Sequence, residues 1–278
     1  MWLRTAIGID VGGSTTKAVA LSGKKVLSVS EMPSSDPLAT SIGLLGKLVM
    51  IMGCSLKDID IVAMAGGRSR QLPENILGLR VVKIDEITAA GTGGIVLTGL
   101  EEALVVSMGT GTALIEVRDN GKEIRHVGGT GVGGGTLLGL SKKILGISNI
   151  KVLIEMAEKG DSRRVDLTVG DIVGGGIGIL SPDMTASNLG KVEDTSSQED
   201  LAAGIVNLVG EVVSSVSYLA ASKLGLEDKI VLVGRVATLH PVLKSIQRVL
   251  SSFNARAIVP ELPEYAVAVG AAYRVSTE

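Results

Sequence analysis

Glycine constrains this chain more than any other residue type. It supplies 37 of the 278 residues, in neither a collagen-like period nor a linker-like run. The glycines gather where one apolar stretch stops and the next begins, at corners where backbone must approach something closely or take positive φ. Three clusters mark such corners: Gly12-Gly13-Ser14, Gly109-Thr110-Gly111 and the dense run over 128–135. Aromatics make up only 2% of the chain, so Val, Ile, Leu and Ala fill the stretches between. Uniform aliphatic runs of this kind suit strands buried on both faces. A hydrophobic fraction of 45% and a length of about two domains lead to the expectation of an α/β protein built in two parts.

The order of segments supports this. Residues 6–11 are apolar, Gly12-Gly13-Ser14 turns, 16–21 is apolar again, Ser22-Gly23-Lys24 turns, and a third strand follows at 26–30. Asp36-Pro37 gives an N-cap and a proline at the first helical position, opening a helix to about residue 52. Ser55-Leu56-Lys57-Asp58 is a capped turn into a strand at 59–65. A short strand at 81–84 and a glycine-interrupted helix at 86–100 come next.

The pattern then restarts. Strands at 103–108 and 112–117 flank the second corner, Asp119-Asn120-Gly121 is a hairpin turn, and a strand returns at 122–127. The loop 128–135 opens a helix over 136–145, and another helix covers 149–159. The stretch 160–197 is rich in Gly, Ser and Asp and yields no assignment. A long helix at 198–224, a strand at 229–233, a helix at 241–251, a strand at 255–259 and a helix at 265–273 complete the chain. Asp10-Val11-Gly12-Gly13-Ser14-Thr15 and Ser107-Met108-Gly109-Thr110-Gly111-Thr112 echo one another, each closing one strand and opening the next. Two halves, 1–103 and 104–278, are expected, each beginning with a glycine-cornered hairpin that faces a shared cleft.

Several function classes are disfavoured. The net charge is −2 and no basic-aromatic stretch advertises a nucleic-acid partner. A single cysteine, Cys54, excludes an internal disulfide and any multi-cysteine zinc or iron–sulfur site within one chain. The apolar stretch that begins at Met1 is short and broken by Asp10, unlike a secretory signal. Apolar runs at 42–52 and 205–221 are interrupted by Lys47 and Glu211 and read as poor bilayer spans. A cytoplasmic protein without a membrane partner is the expectation.

A phosphate chain is held by backbone N–H donors without Cβ atoms in the way, supplemented by hydroxyls and a metal. Asp10 followed by Gly12, Gly13, Ser14 and Thr15, with Lys17 beyond, offers this at a hairpin. A Walker-type loop does not fit, because a strand follows where that loop needs a helix. Gly129-Thr130-Gly131-Val132-Gly133-Gly134 matches a dinucleotide fingerprint in letters only, since the strand before it carries Glu123, Arg125 and His126 rather than buried aliphatics. We read 128–135 instead as a nucleotide-facing helix N-terminus. Any one glycine turn is commonly just a hairpin; three together point to a bound nucleotide.

These residues carry a family resemblance. Ile7-Gly8-Ile9-Asp10-Val11-Gly12-Gly13-Ser14 resembles the first phosphate loop of the actin-like ATPase superfamily, and Met108-Gly109-Thr110-Gly111-Thr112 its second. Val127-Gly128-Gly129-Thr130-Gly131-Val132-Gly133-Gly134-Gly135-Thr136-Leu137-Leu138-Gly139-Leu140 is more specific and resembles the signature of type II and eukaryotic pantothenate kinases. Gly160-Asp161-Ser162, Thr185-Ala186-Ser187-Asn188-Leu189-Gly190 and Ala268-Val269-Gly270-Ala271-Ala272-Tyr273 extend the likeness over nearly the whole chain.

The resemblance implies duplicated actin-like (ribonuclease H-like) domains with mixed sheets flanked by helices, and transfer of phosphate from ATP with Mg²⁺ to the primary hydroxyl of pantothenate. It also implies a homodimer, for which the helix at 198–224 is a candidate; core packing explains that helix equally well. The family's base is a Glu before Ala-Ala-x-x-Gly, which nominates Glu86 in Glu86-Ile87-Thr88-Ala89-Ala90-Gly91-Thr92-Gly93. On the residues alone Asp85 rivals it, and Glu86 could simply favour a helix N-terminus.

The remaining roles follow from the same likeness. Asp10 is expected beside Mg²⁺, through water, and is counted with Glu86 as catalytic. Gly12, Gly13, Ser14, Thr15 and Lys17 meet the β/γ-phosphates; Thr110, Gly111 and Thr112 clamp from the other side, Thr110 also reaching substrate; Gly131, Gly133, Gly134 and Gly135 line the nucleotide cleft. Arg235 reads either as an edge of the adenosine pocket or as a solvated surface arginine.

Two departures bear on substrate. Where the family has an Arg before the Val of the signature, this chain has His126, with Arg125 one place earlier; in a strand the two point to opposite faces. Human-type members carry a Ser at the place of Ala113. Arg125 and His126 are therefore kept as substrate candidates, with a surface strand residue as the alternative for His126. Rival readings are a kinase of a pantetheine-like relative, a nucleotide-binding module without turnover, and an ATPase activator of 2-hydroxyacyl-CoA dehydratases. The last resembles proteins that use two cysteines per subunit, and Cys54 stands alone.

Overall fold

A computed structural model describes residues 5–178 and 181–276. The first four residues of the N-terminal stretch, two residues of the unassigned segment 160–197 and the last two residues lie outside it. The chain opens with β1 (Thr5–Val11), β2 (Thr15–Ser22) and β3 (Lys25–Pro33), an antiparallel meander. Helix α1 (Pro37–Met52) follows, with the Asp36 carboxylate accepting from the amides of Leu38 and Ala39. Next come β4 (Ile61–Ala65), β5 (Asn75–Ile76), β6 (Leu79–Lys83) and α2 (Glu86–Thr98). The sheet order is β3-β2-β1-β4-β6-β5, with β4 parallel to β1 and β6 parallel to β4.

The second half repeats the plan. Strands β7 (Ala103–Met108), β8 (Thr112–Arg118) and β9 (Glu123–Thr130) form another antiparallel meander. Then come α3 (Gly134–Leu140), α4 (Ile150–Ala157), β10 (Leu167–Thr168), α5 (Val169–Val173), β11 (Thr185–Ser187), α6 (Gln198–Leu224), β12 (Ile230–Val233), α7 (His240–Ser252), β13 (Ala257–Ile258) and α8 (Ala266–Ser276). The second sheet runs β13-β12-β7-β8-β9, with β12 parallel to β7.

Layering places the cleft. Helix α1 covers the outer face of the first sheet, where Leu44, Leu45 and Leu48 meet Ile7, Ile9 and Val11. Helices α4, α6 and α7 cover the outer face of the second. Between the sheets lie α8, against β1, β2 and β4, and α2, against β7, β8 and β9. Those two helices meet at glycines. A Cβ on Gly93 would stand 1.8 Å from the Ala266 carbonyl oxygen, and one on Gly270 would stand 1.9 Å from that of Ala89. Thus the glycines that interrupt α2 let two backbones touch, and the final helix crosses back onto the first sheet.

One expectation needs correction. Residues 128–130 continue β9 instead of opening a loop, because a bulge at Val127 resets the register so that Gly129 pairs with Ala113 and Thr130 with Thr112. The segment 160–197 forms only short elements, held by distant polar groups. Asp166 accepts the amide of Leu189 at 2.7 Å, and Glu211 of α6 accepts from Thr185 Oγ1 at 2.7 Å and Asn188 Nδ2 at 2.8 Å. By length and composition α6 is long and apolar enough to cross a bilayer; most of it is buried against the second sheet, α4 and α7, as a core helix is.

Candidate active site

The first corner joins β1 to β2. Pairing sets Asp10 opposite Lys17 and Lys17 opposite Glu31, so three charged side chains stand abreast on one face. That face is the one turned to α8, since Val19 and Leu21, of the same parity as Lys17, pack there. Asp10 sits beneath Gly66, at the end of the parallel neighbour β4; a Cβ on Gly66 would lie 2.8 Å from Asp10 Oδ1, and its φ of +89° favours glycine. Burial pushes the Asp10 carboxyl up to about 6, Lys17 opposes that rise, and Glu86 adds to it. Lys17 is 8% exposed, and burial pulls its ammonium down. The amides of Gly12, Gly13 and Ser14 donate to no described protein group. Arg68, just after β4, instead takes the Gly13 carbonyl at 3.4 Å and the Ser34 carbonyl at 3.2 Å. Gly66, Arg68 and Glu31 were missed in the sequence, although Ala65-Gly66-Gly67 after a strand is the same kind of corner.

The second corner joins β7 to β8 and is built differently. Gly109 N donates to the Gly111 carbonyl at 2.9 Å, while the amides of Thr110 and Gly111 donate to no described group. The later glycine run stacks on this turn. Gly134 N donates to Gly109 O at 2.9 Å, Gly135 N to Thr110 O at 2.8 Å, and Thr112 Oγ1 to Val132 O at 2.8 Å. A Cβ on Gly133 would come within 2.8 Å of Gly111. So Gly133, Gly134 and Gly135 seat one turn on another at the N-terminus of α3, where the sequence reading expects a helix start. Gly131 stays exposed, with nothing near its Cβ position.

Glu86 and Asp85 are now separated by geometry. The Asp85 carboxylate turns back to accept the Thr88 amide at 3.0 Å and caps α2. Glu86 is exposed and lines a cavity of about 660 Å³ with Ser107, Thr110, Ala113, His126 and Gly131. That volume suits a small molecule. His126 pairs across from Ile115 on the α2-facing side. Arg125 is turned away: its Nη2 donates to Glu116 Oε2 at 2.6 Å, so the structure does not bring it to Glu86. Arg235, directly after β12, pairs with Glu31 of β3 across the two halves rather than standing free in solvent.

Comparisons with known proteins supply a family and a fold. A family model described as Fumble matches residues 102–274. A type II pantothenate kinase of Bacillus thuringiensis subsp. konkukian is 32% identical over 91% of this chain and 89% of its own length. One from Oceanobacillus iheyensis is 32% identical over 89% of each. Among solved structures, the (R)-2-hydroxyglutaryl-CoA dehydratase component A of Acidaminococcus fermentans is similar with a TM-score of 0.72 at 17% identity, covering 99% of this chain and 100% of that one. A ROK family glucokinase from Streptomyces griseus, in complex with glucose and AMPPNP, is similar with a TM-score of 0.58 at 15% identity over 96% and 98%. At such identities the structures speak for the actin-like fold alone.

Proposed function

Because this chain belongs to the type II pantothenate kinase family and thus phosphorylates pantothenate with ATP on the way to coenzyme A, we propose that its two glycine corners and Glu86 carry out that transfer. Asp10, Gly12, Gly13, Ser14, Thr15 and Lys17 hold the β/γ-phosphates. Thr110, Gly111 and Thr112 clamp them from the second half, Gly131 with Gly133, Gly134 and Gly135 borders the nucleotide, and Glu86 accepts the proton of the primary hydroxyl. The division into halves at residue 103 belongs to this reading, one corner coming from each. What carries it is free amides at both corners, with the Glu86 carboxylate sharing a cavity with the second corner and near enough to Asp10 to raise its carboxyl. Phosphoryl transfer is mainly positioning and charge neutralisation, and those are the parts on hand.

Magnesium fits the donor set. No described cluster of three or more His, Cys, Asp or Glu could cage a metal, but Mg²⁺ takes one or two carboxylates plus phosphates and water. Asp10, its charge held under Gly66 beside unpaired amides, is the residue that would hold it, through water. When bound, the cation would neutralise phosphate charge. A cytoplasmic location, and a homodimer through the exposed part of α6 around Leu219, are proposed from the family; sedimentation tests the second.

His126 and Ala113 wall the substrate side where the resemblance puts an arginine and, in human-type members, a serine. A coupled kinase assay over pantothenate, pantetheine and a few sugars is expected to show turnover of pantothenate first. Turnover of pantetheine with pantothenate inert would overturn the substrate. Glu86→Gln is expected to lower kcat about 10²–10⁴-fold with ATP affinity kept, and an unchanged kcat would remove Glu86 from the chemistry.

A further inference from the structure

Lys17 poses a question of charge. It is nearly buried, has Asp10 on one side and Glu31 on the other in the same row, and makes no hydrogen bond or ion pair with any described residue. In-register neighbours of opposite charge on adjacent strands normally attract one another. Glu31 should therefore draw the Lys17 ammonium to itself. Instead its carboxylate is taken by Arg235, which arrives from the second half directly after Gly234. Gly234 lies against Met108 of β7, where a Cβ would meet the carbonyl oxygen at 2.4 Å, and its φ is +94°. The arginine is thus launched from a corner built into the second sheet.

We propose that Arg235 is a positioning residue that occupies Glu31, so that Lys17 stays available to the phosphates of the bound nucleotide instead of closing on its strand neighbour. Half-exposed ion pairs contribute only about 0–1 kcal/mol to stability, and the side chains of this one are 43% and 38% exposed. Its consequence lies in which cation Glu31 holds. A guanidinium suits that carboxylate better than an ammonium, being a planar fork of donors that matches carboxylate geometry. Because the arginine comes from one half and Lys17 from the other, the phosphate site is fully prepared only when the halves are together.

The inference rests on ATP being the nucleotide, so the test reads nucleotide affinity separately from turnover. Dissociation constants for a non-hydrolysable ATP analogue are measured for wild type, Arg235→Met, Glu31→Gln, and the double variant. Arg235→Met frees Glu31 to take Lys17 and is expected to weaken binding about tenfold. Removing the Glu31 charge as well is expected to restore affinity to within about threefold of wild type, and Glu31→Gln alone to keep it. In a Lys17→Met background Arg235→Met is expected to have no further effect. A contact between Arg235 and nucleotide, or a merely structural latch, leaves the double variant as weak as Arg235→Met, and that result overturns the proposal, as does an unaffected Arg235→Met. Thermal melts check that each variant folds. Wild-type protein that binds the analogue yet fails to phosphorylate pantothenate would sink the substrate reading and leave this test intact.

Discussion

The first sheet carries the row Asp10–Lys17–Glu31 at its corner; at the matching place in the second sheet the row is Ser107–Ala113–Gly129. The topology is the same in both: an antiparallel meander, a parallel neighbour ending in a glycine of positive φ (Gly66 or Gly234), and a 3₁₀ turn beyond. The chemistry is not. One corner is charged and partly desolvated, whereas the other presents amides and hydroxyls and is stiffened by a second glycine turn stacked upon it. Duplicating a backbone did not duplicate its charges. On the proposed function, a ligand as anionic as a triphosphate would account for the asymmetry: one corner would manage charge and cation, while a carboxylate placed in the other would repel the phosphates.

The comparison can be broken by experiment. The largest effect is expected from Asp10→Asn, which should lower kcat/KM about 10²-fold, the scale of losing one preorganised electrostatic group; Ser107→Ala, at the equivalent place, should stay within about threefold. Equal losses at both sites would erase the distinction. Next, Ser107→Asp installs a carboxylate in the uncharged corner and is expected to weaken ATP binding about tenfold, which calorimetry would register.

Glycine replacement separates the corners in another way. Gly133→Ala drives a Cβ into Gly111 and should cost about 1–3 kcal/mol in urea unfolding. Gly13→Ala, with open space at its Cβ, should leave stability within about 0.5 kcal/mol while reducing ATP affinity. The smallest effect concerns pH in the nucleotide-free protein. Burial raises the Asp10 carboxyl from its ordinary 3.8 to about 6. The folded state therefore binds a proton over that interval which the unfolded chain does not. This contribution favours the fold below about 3.8 and is lost as pH rises through about 6. The Tm of Asp10→Asn minus that of wild type should accordingly be larger at about pH 8 than at about pH 5; a pH-independent difference would place the Asp10 titration elsewhere.

Local signals and distant contacts divided the information between them. Most of the strands, the cap at Asp36, the long helix α6 and both glycine corners could be read from order and spacing, because each depends on neighbours within a few residues. The pantothenate kinase resemblance was legible for the same reason, being carried by contiguous motifs. Where the glycine run touches was not legible: only the folded chain sets Gly133 against Gly111 and leaves Gly131 open. Nor could periodicity separate Asp85 from Glu86, since both suit a helix start and only the direction of each carboxylate decides.

The sequence by itself determined that an α/β protein with two glycine-cornered meanders would form, because apolar period, turn chemistry and capping are short-range properties of the chain. Tertiary structure alone decided that α8 returns to the first sheet, that Arg125 belongs to Glu116 and not to the cavity, and that Arg235 reaches Glu31. Those outcomes depend on which surfaces are buried together across residues far apart in the chain, and no local pattern records that.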